Sequence, residues 1–368
     1  MFVILSRNMA RVAIVEACRF VVECLHTAGA NRDSAEQQAR LLIQADRLGH
    51  PGDGVNRLEY YVNDIISGAC EPNNKPLILK ETASTAWVDA KNVLGATASN
   101  FAMDIAIAKA KATGVGWVVV KGSNHNGMAG FWAQKAAEEG LIGLAFTNAQ
   151  PVMAPTRSKQ AALGTNPIAM VAPASCGESF YLDMSTTAVD MGTIDMHRRN
   201  GECLKHGWAQ GPNGMETLDP EKAYHTKRLY PLGGEEATGG YKGYGLAAMV
   251  EVLCGVSAGS RYGCHLKEWK LESDGTPHDI GHCFVAVNPN CFAPGFGDRL
   301  ADCIQQWRDL DPVDGNLPVL APGDKEKIMA CQSDKSGTVY YVKQQIESSN
   351  CLAKRLQVKP MEPVKEAC

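Results

Sequence analysis

The sequence predicts an α/β protein in which a mixed sheet is joined to a mainly helical part. Three observations carry this reading. Apolar residues recur at helical spacing through residues 9–67. Beyond Pro76, short β-branched and apolar runs alternate with helix-patterned segments. No GxGxxG follows a strand pattern and no phosphate-loop motif is present, so the standard dinucleotide and P-loop folds are excluded.

Taken in order, Val12, Val15, Val22 and Leu25 share one face of a first helix. Ser34-x-x-Gln37 is a capping-box pattern opening a second helix through Leu48. Residues 49–54, Gly-His-Pro-Gly-Asp-Gly, form a tight loop. A third helix runs from Arg57 to Ser67 and stops at Gly68. Strands are expected at 77–79, 86–88, 115–120, 141–146, 168–172, 180–184 and 282–287. Helices are expected at 96–113, 128–139, 187–199, 243–257 and 296–310. Residues 200–225 read as a long glycine- and proline-punctuated loop, and the tail after Leu317 as polar and proline-spotted. The boundaries this suggests are a helical part over 1–75, a cofactor-sized α/β part over 76–240, and a helical remainder over 241–368.

The bulk numbers narrow the function. A chain of 368 residues with 45% hydrophobic content has ample core. A net charge of -4 and a pI near 6.2 argue against a nucleic-acid partner. Thirteen cysteines cannot all pair and show no metal spacing, so a reduced, cytoplasmic chain without a metal is expected. The apolar start Met1–Leu5 is broken by Arg7 and Arg11, and no run is long enough to span a bilayer. With Cys368 as the last residue, no prenylation box is expected.

The stretch Val115–Gly140 is the most suggestive. A strand pattern breaks into Lys121-Gly122-Ser123-Asn124-His125-Asn126-Gly127 ahead of a helix. Such a turn presents backbone N–H groups to an anion and carries a histidine able to move a proton. The alternative is that Asn124 or Asn126 only caps the helix.

Five segments then combine in order: Arg57-Leu58 with Tyr60-Tyr61, Ser123-Asn124-His125, Leu163-Gly164-Thr165-Asn166-Pro167, Asp183-Met184-Ser185 and Gly240-Tyr241-Lys242-Gly243. Together they resemble the malate/L-lactate dehydrogenase family of the sulfolactate-dehydrogenase type, over roughly Val12 to Pro322. The resemblance implies a non-Rossmann cofactor domain with a mainly helical domain, a homodimer, and hydride transfer between NAD or NADP (NAD slightly favoured) and a small 2-hydroxy or 2-oxo acid. Some members reduce cyclic imino acids.

On this resemblance Arg57 is the clamp for the substrate carboxylate, a task suited to its planar fork. Thr165 is a second substrate contact. His125, Asn126, Gly127, Met128 and Ala129 form a cofactor segment with the helix end facing phosphate. Asp183, Met184 and Ser185 form another, with Asp183 suited to a ribose hydroxyl. Lys242 opens a helix whose dipole opposes its charge, which points to an anion.

One departure stands out. The family's Ser-His-Gly proton relay is here Gly52-Asp53-Gly54, and its relay aspartate aligns with Thr193. Losing a positioned acid/base costs about 10²- to 10⁴-fold in rate. Three outcomes follow: His125 is the working base, Asp53 or His50 substitutes, or the chain is a catalytically impaired cofactor binder.

Overall fold

The computed structural model describes residues 9–364. The apolar start at Met1–Leu5 and the terminal Cys368 lie outside them. The strands are β1 (Met9–Ala13), β2 (Leu77–Glu81), β3 (Thr85–Asp89), β4 (Val115–Ser123), β5 (Ile142–Thr147), β6 (Ile168–Pro173), β7 (Ser179–Met184), β8 (Ile280–Val287) and β9 (Thr338–Val342). The helices are α1 (Ile14–Ala28), α2 (Arg32–Arg47), α3 (Leu58–Ser67), α4 (Gly95–Thr113), α5 (Ala129–Glu138), α6 (Met191–Asn200), α7 (Pro220–Thr226), α8 (Gly240–Glu251), α9 (Phe296–Arg308), α10 (Asp324–Ser336) and α11 (Lys343–Leu356).

Seven strands form one mixed sheet in the order β2-β3-β4-β8-β5-β6-β7, with β3–β4 its parallel pair. In β4 buried Gly116, Val118 and Val120 alternate with more exposed Val115 and Trp117, the period of a pleated strand. Helices α4 and α5 bury one face of the sheet around Met103, Val118, Trp132 and Phe284. The other face packs Phe146, Cys283 and Val285 against Val250 and Cys254, at the end of α8 and in the π turn Val252–Val256 that follows.

Beside the sheet sits a helical layer. In α1 Ala17, Phe20, Val21, Cys24 and Leu25 are buried, a stripe at i, i+3, i+4, i+7, i+8. That stripe meets α2, α3, α11 and a two-stranded ribbon, β1 against β9. A small lobe built on α6 and α7 has its own apolar cluster, with Ile194, Leu204 and Leu229 at its centre.

Several sequence expectations are corrected. Residues 9–13 are a strand, because their antiparallel partner Thr338–Val342 lies at the far end of the chain. The second helix is capped by Asn31, whose side chain accepts the Ser34 N–H at 2.9 Å, so Ser34 lies inside it. The helix expected from Thr187 starts at Met191, where Asp190 accepts the Thr193 N–H at 2.6 Å. The long loop 200–225 ends in a helix with Pro220 at its first position and Asp219 as cap. The polar tail holds two helices and a strand. The helical remainder does not begin cleanly at 241, since β8 lies between β4 and β5 in the sheet. No helix among the described residues is long and apolar enough to cross a membrane.

Candidate active site

The loop between α2 and α3 is held from below by Asp46. Its Oδ2 accepts the Val55 N–H at 3.0 Å and the Tyr341 O–H at 2.8 Å. Burial pushes its carboxyl up to about 7, the charge of Asp53 adding to the shift. A Cβ on Gly54 would lie 1.8 Å from Asp46 Oδ1, so only glycine fits there. Gly52 differs: a Cβ there meets nothing within 4 Å. The loop thus carries Asp53 over a fixed floor, with open space where the family's serine hydroxyl would stand. Arg57 Nε donates to the Gly52 carbonyl at 2.7 Å. Among the described residues neither Nη1 nor Nη2 of Arg57 makes a hydrogen bond or ion pair, so its bidentate edge is free.

The turn after β4 is clamped independently. Asn124 Nδ2 donates to Val93 O at 2.8 Å and Asn92 Oδ1 at 3.0 Å. Gly127 has φ +66°, and a Cβ on it would strike Leu41. Asn126 is buried, donating to Ser99 Oγ at 3.0 Å and accepting from Thr147 Oγ1 at 3.3 Å. These anchors aim His125 at α3. Tyr61 Oη is 2.6 Å from His125 Nδ1, and the Gly127 N–H donates to the same nitrogen at 3.2 Å. Asp53 Oδ1 is 3.9 Å from His125 Nε2.

Trp269 completes the cluster. It stacks on the His125 ring at 4.5 Å between centroids and meets Tyr61 edge-on at 5.1 Å. The Arg57 guanidinium lies 5.6 Å from the Tyr60 ring centre and 5.9 Å from that of Trp269. Trp269 is fixed by Asp64, which accepts its indole N–H at 2.7 Å, and by Gln150, which accepts its backbone N–H. Nothing in the sequence around Trp269 marks it; a loop residue becomes visible only once the loop is placed.

The electrostatics divide these groups. Burial, with the Arg57 charge adding to it, pushes His125 down to about 3, so it is neutral at ordinary pH. Desolvation raises Asp53, Asp190 adds to that, and Arg57 and His50 oppose it. Burial works against protonation of His50, but Glu326 at 3.3 Å and the charges of Asp183 and Asp53 carry its pKa above the usual histidine range. Asp183 is pushed to about 7 by burial, with Asp53 and Glu326 raising it further and Gly130 and His50 opposing. Asp190 was not among the sequence candidates. The acid missing at Thr193 is matched three residues earlier by a carboxylate within electrostatic reach of Asp53.

The residues assigned to cofactor lie on the sheet side. Asp183 Oδ2 accepts the Gly130 N–H at 2.7 Å in the first turn of α5. The hydroxyl of Tyr181, close to the same glycine, is buried without a partner. The Gly130 N–H of that helix end is thus already taken by a carboxylate. An orphan hydroxyl beside a carboxylate is the donor set of a sugar diol. Asn126, Met128 and Ala129 are buried, so they offer a ligand only backbone. Met184 and Ser185 are half-buried at the end of β7, Ser185 being bonded to Thr187. Thr165 sits in a turn fixed by Asn166, which donates to Glu251 at 2.7 Å and accepts the Ala149 N–H at 3.0 Å. Through Ala149 and Gln150 that turn is tied to the Trp269 loop. Lys242 stands apart, exposed on the first turn of α8 with its Nζ 5.9 Å from the Tyr241 ring centre.

Comparison with known proteins bears on the family and the fold. Residues 12–348 match the family described as Malate/L-lactate dehydrogenase. The chain is 36% identical over 360 residues to a malate dehydrogenase of Pyrococcus abyssi, covering 97% of this chain and 98% of that one. It is 32% identical over 302 residues to a (2R)-3-sulfolactate dehydrogenase (NADP(+)) of Chromohalobacter salexigens, covering 82% and 88%. The solved malate dehydrogenase of Entamoeba histolytica superposes with a TM-score of 0.89 at 29% identity, covering 95% and 99%.

Proposed function

The chain belongs to the malate/L-lactate dehydrogenase family, and from that premise we propose that it moves a hydride between a nicotinamide cofactor and a small 2-hydroxy or 2-oxo acid of the malate or lactate type. One observation carries the reading: Arg57 and Asp53 of the loop before α3 meet His125 of the turn after β4, with Trp269 against both Arg57 and His125. A free guanidinium edge binds a carboxylate by two parallel bonds. Against the same Trp269, His125 with Asp53 supplies the hydrogen-bonding groups that an adjacent carbonyl or hydroxyl requires.

Bound nicotinamide supplies or accepts the hydride, the part of the chemistry that side chains cannot perform. Asp183 with the Tyr181 hydroxyl would hold a ribose, and the backbone of residues 125–129 would line its approach. Thr165 is a second substrate contact, and Lys242 a more distant counter-ion. The cofactor is NAD or NADP. The working unit is a homodimer, to be read from its mass in solution. The free thiols suit the reducing cytoplasm.

A second reading, of an impaired cofactor binder, rests on Gly52 and Asp53. The nearness of Asp53 to His125 favours an active enzyme, because a titratable group stands where the family's histidine would be. The test is oxidation of NADH and NADPH by the purified chain with oxaloacetate, pyruvate and a cyclic imino acid. Turnover with an open-chain 2-oxo acid is expected. Preference for the imine would move the assignment to imino-acid reduction, and no oxidation with any of them by folded protein would refute it.

A further inference from the structure

We infer that Asp53 is the proton-carrying residue of this site and that His125 acts only as a neutral hydrogen-bond donor through its Nε2–H, its tautomer fixed by Gly127 and Tyr61. The inference rests on the functional reading above and assigns the division of labour within that site.

The tautomer follows from hydrogen-bond bookkeeping. A backbone N–H can only donate, and the Gly127 N–H points at His125 Nδ1 at 3.2 Å. That nitrogen is therefore the unprotonated one. The Tyr61 hydroxyl, 2.6 Å away, donates to it as well; burial raises Tyr61 and keeps it protonated. The ring proton is thus on Nε2, the nitrogen that faces Asp53. Burial of the ring and the Arg57 charge beside it oppose a second proton.

A neutral imidazole that gave up its Nε2 proton would become an imidazolate. His125 can therefore polarise an oxygen, but it cannot supply the proton. The 3.9 Å between Nε2 and Asp53 Oδ1 leaves one oxygen atom able to sit at about 2.8 Å from both. In the reducing direction the substrate carbonyl oxygen takes that place and accepts from Nε2–H and from the protonated Asp53 carboxyl. The carbonyl carbon gains a hydride, the nicotinamide being oxidised, and the C=O π bond breaks. Its electron pair, now on oxygen, takes the Asp53 proton and leaves a carboxylate. Asp53 is half-exposed and regains a proton from solvent. Oxidation runs the same transfers in reverse.

The groups facing Asp53 come from every neighbouring element: Arg57 and Tyr61 from the start and body of α3, His50 and Asp46 from the end of α2, Asp190 from the cap of α6, Asp183 from β7 and His125 from the turn after β4. Burial favours the protonated form of Asp53 and Asp190 adds to that, against the opposing charges of Arg57 and His50.

Two measurements on the full chain test this. In ¹⁵N-histidine-labelled protein without cofactor, with His125 assigned by its loss in His125→Gln, the ring should remain the neutral Nε2–H form from about pH 5 to about pH 8. Asp53→Asn, isosteric and checked for an unchanged melting temperature, should lower kcat on the order of 10²- to 10⁴-fold with little change in KM for the acid. It should also abolish the alkaline fall of the parent's reduction rate. An Nδ1–H or doubly protonated ring, or an Asp53→Asn variant within about twofold of an active parent, overturns the assignment alone. A folded parent with no turnover on any 2-oxo acid or imine defeats the functional reading and takes the proton step with it.

Discussion

Arg57 and Gly54 show how single residues divide between chemistry and support. Arg57 spends Nε on the Gly52 carbonyl and keeps its other two nitrogens free. A lysine in its place would hold charge without the fork. Arg57→Lys should raise KM for the 2-oxo acid roughly 10- to 100-fold, the size of a lost charge-assisted hydrogen bond, with a smaller effect on kcat; steady-state kinetics decide it. Gly54 touches no substrate, but its missing Cβ is the space Asp46 occupies. Gly54→Ala should cost about 1–3 kcal/mol of stability through overpacking, whereas Gly52→Ser, with nothing near its Cβ, should unfold at the parent's denaturant midpoint. Equal midpoints for Gly54→Ala and the parent would remove the steric argument. Arg57, Asp53 and His125 were each legible in the sequence, because a family pattern and a tight polar turn marked them. Trp269, Tyr61 and Asp190 were not assigned roles, because their meaning lies in what they touch across the fold.

At the scale of elements, the site is a loop carried on α2 set against a turn carried on β4. The β4 turn is locked by Asn124, Asn126 and Gly127, and the α2 loop by one carboxylate, Asp46. Burial pushes that carboxyl up to about 7. The native state therefore binds more protons than the unfolded chain between about pH 4 and about pH 7, and stability contributed by Asp46 is lost as pH rises through that window. Asp46→Asn has no proton to lose. Its melting temperature relative to the parent should therefore climb from pH 4 to pH 8; a constant difference would show that the carboxyl is not perturbed. The strands of the sheet were legible because their apolar, β-branched runs have few other uses. β1 was not, since a five-residue segment takes its conformation from a partner more than three hundred residues away. The cap of α2 was misplaced by three residues because Asn31 caps the helix by accepting the N–H of Ser34 itself, which places Ser34 inside it.

Across the whole molecule, His125 in the turn after β4 and fully buried His282 in β8 are both pushed down to about 3 by burial. His282 bridges Thr147 at 2.9 Å and Ser123 at 2.8 Å, just before the turn that carries His125. For such a group the unfolded chain binds more protons between its ordinary value near 6.5 and the native value near 3. Stability it contributes is present above the higher figure and is lost as pH falls through that interval. His282→Gln should therefore lose less stability than the parent between pH 7 and pH 4, a difference measurable by chemical denaturation; a parallel loss would show that His282 is not held neutral. The mixed α/β plan with a helical layer was readable from periodicity, while the helices and strand of the tail were hidden by their polar surfaces. The central claim is that a guanidinium from the helical layer and a proton-handling pair converge on one small acid. Its most direct test is a crystal structure with oxidised nicotinamide cofactor and oxamate, a 2-oxo acid mimic. The carboxylate should lie across Arg57 Nη1 and Nη2, with the neighbouring oxygen within hydrogen-bonding distance of both His125 Nε2 and Asp53. Oxamate bound away from Arg57, or an Arg57 side chain turned into bulk solvent, would contradict the account.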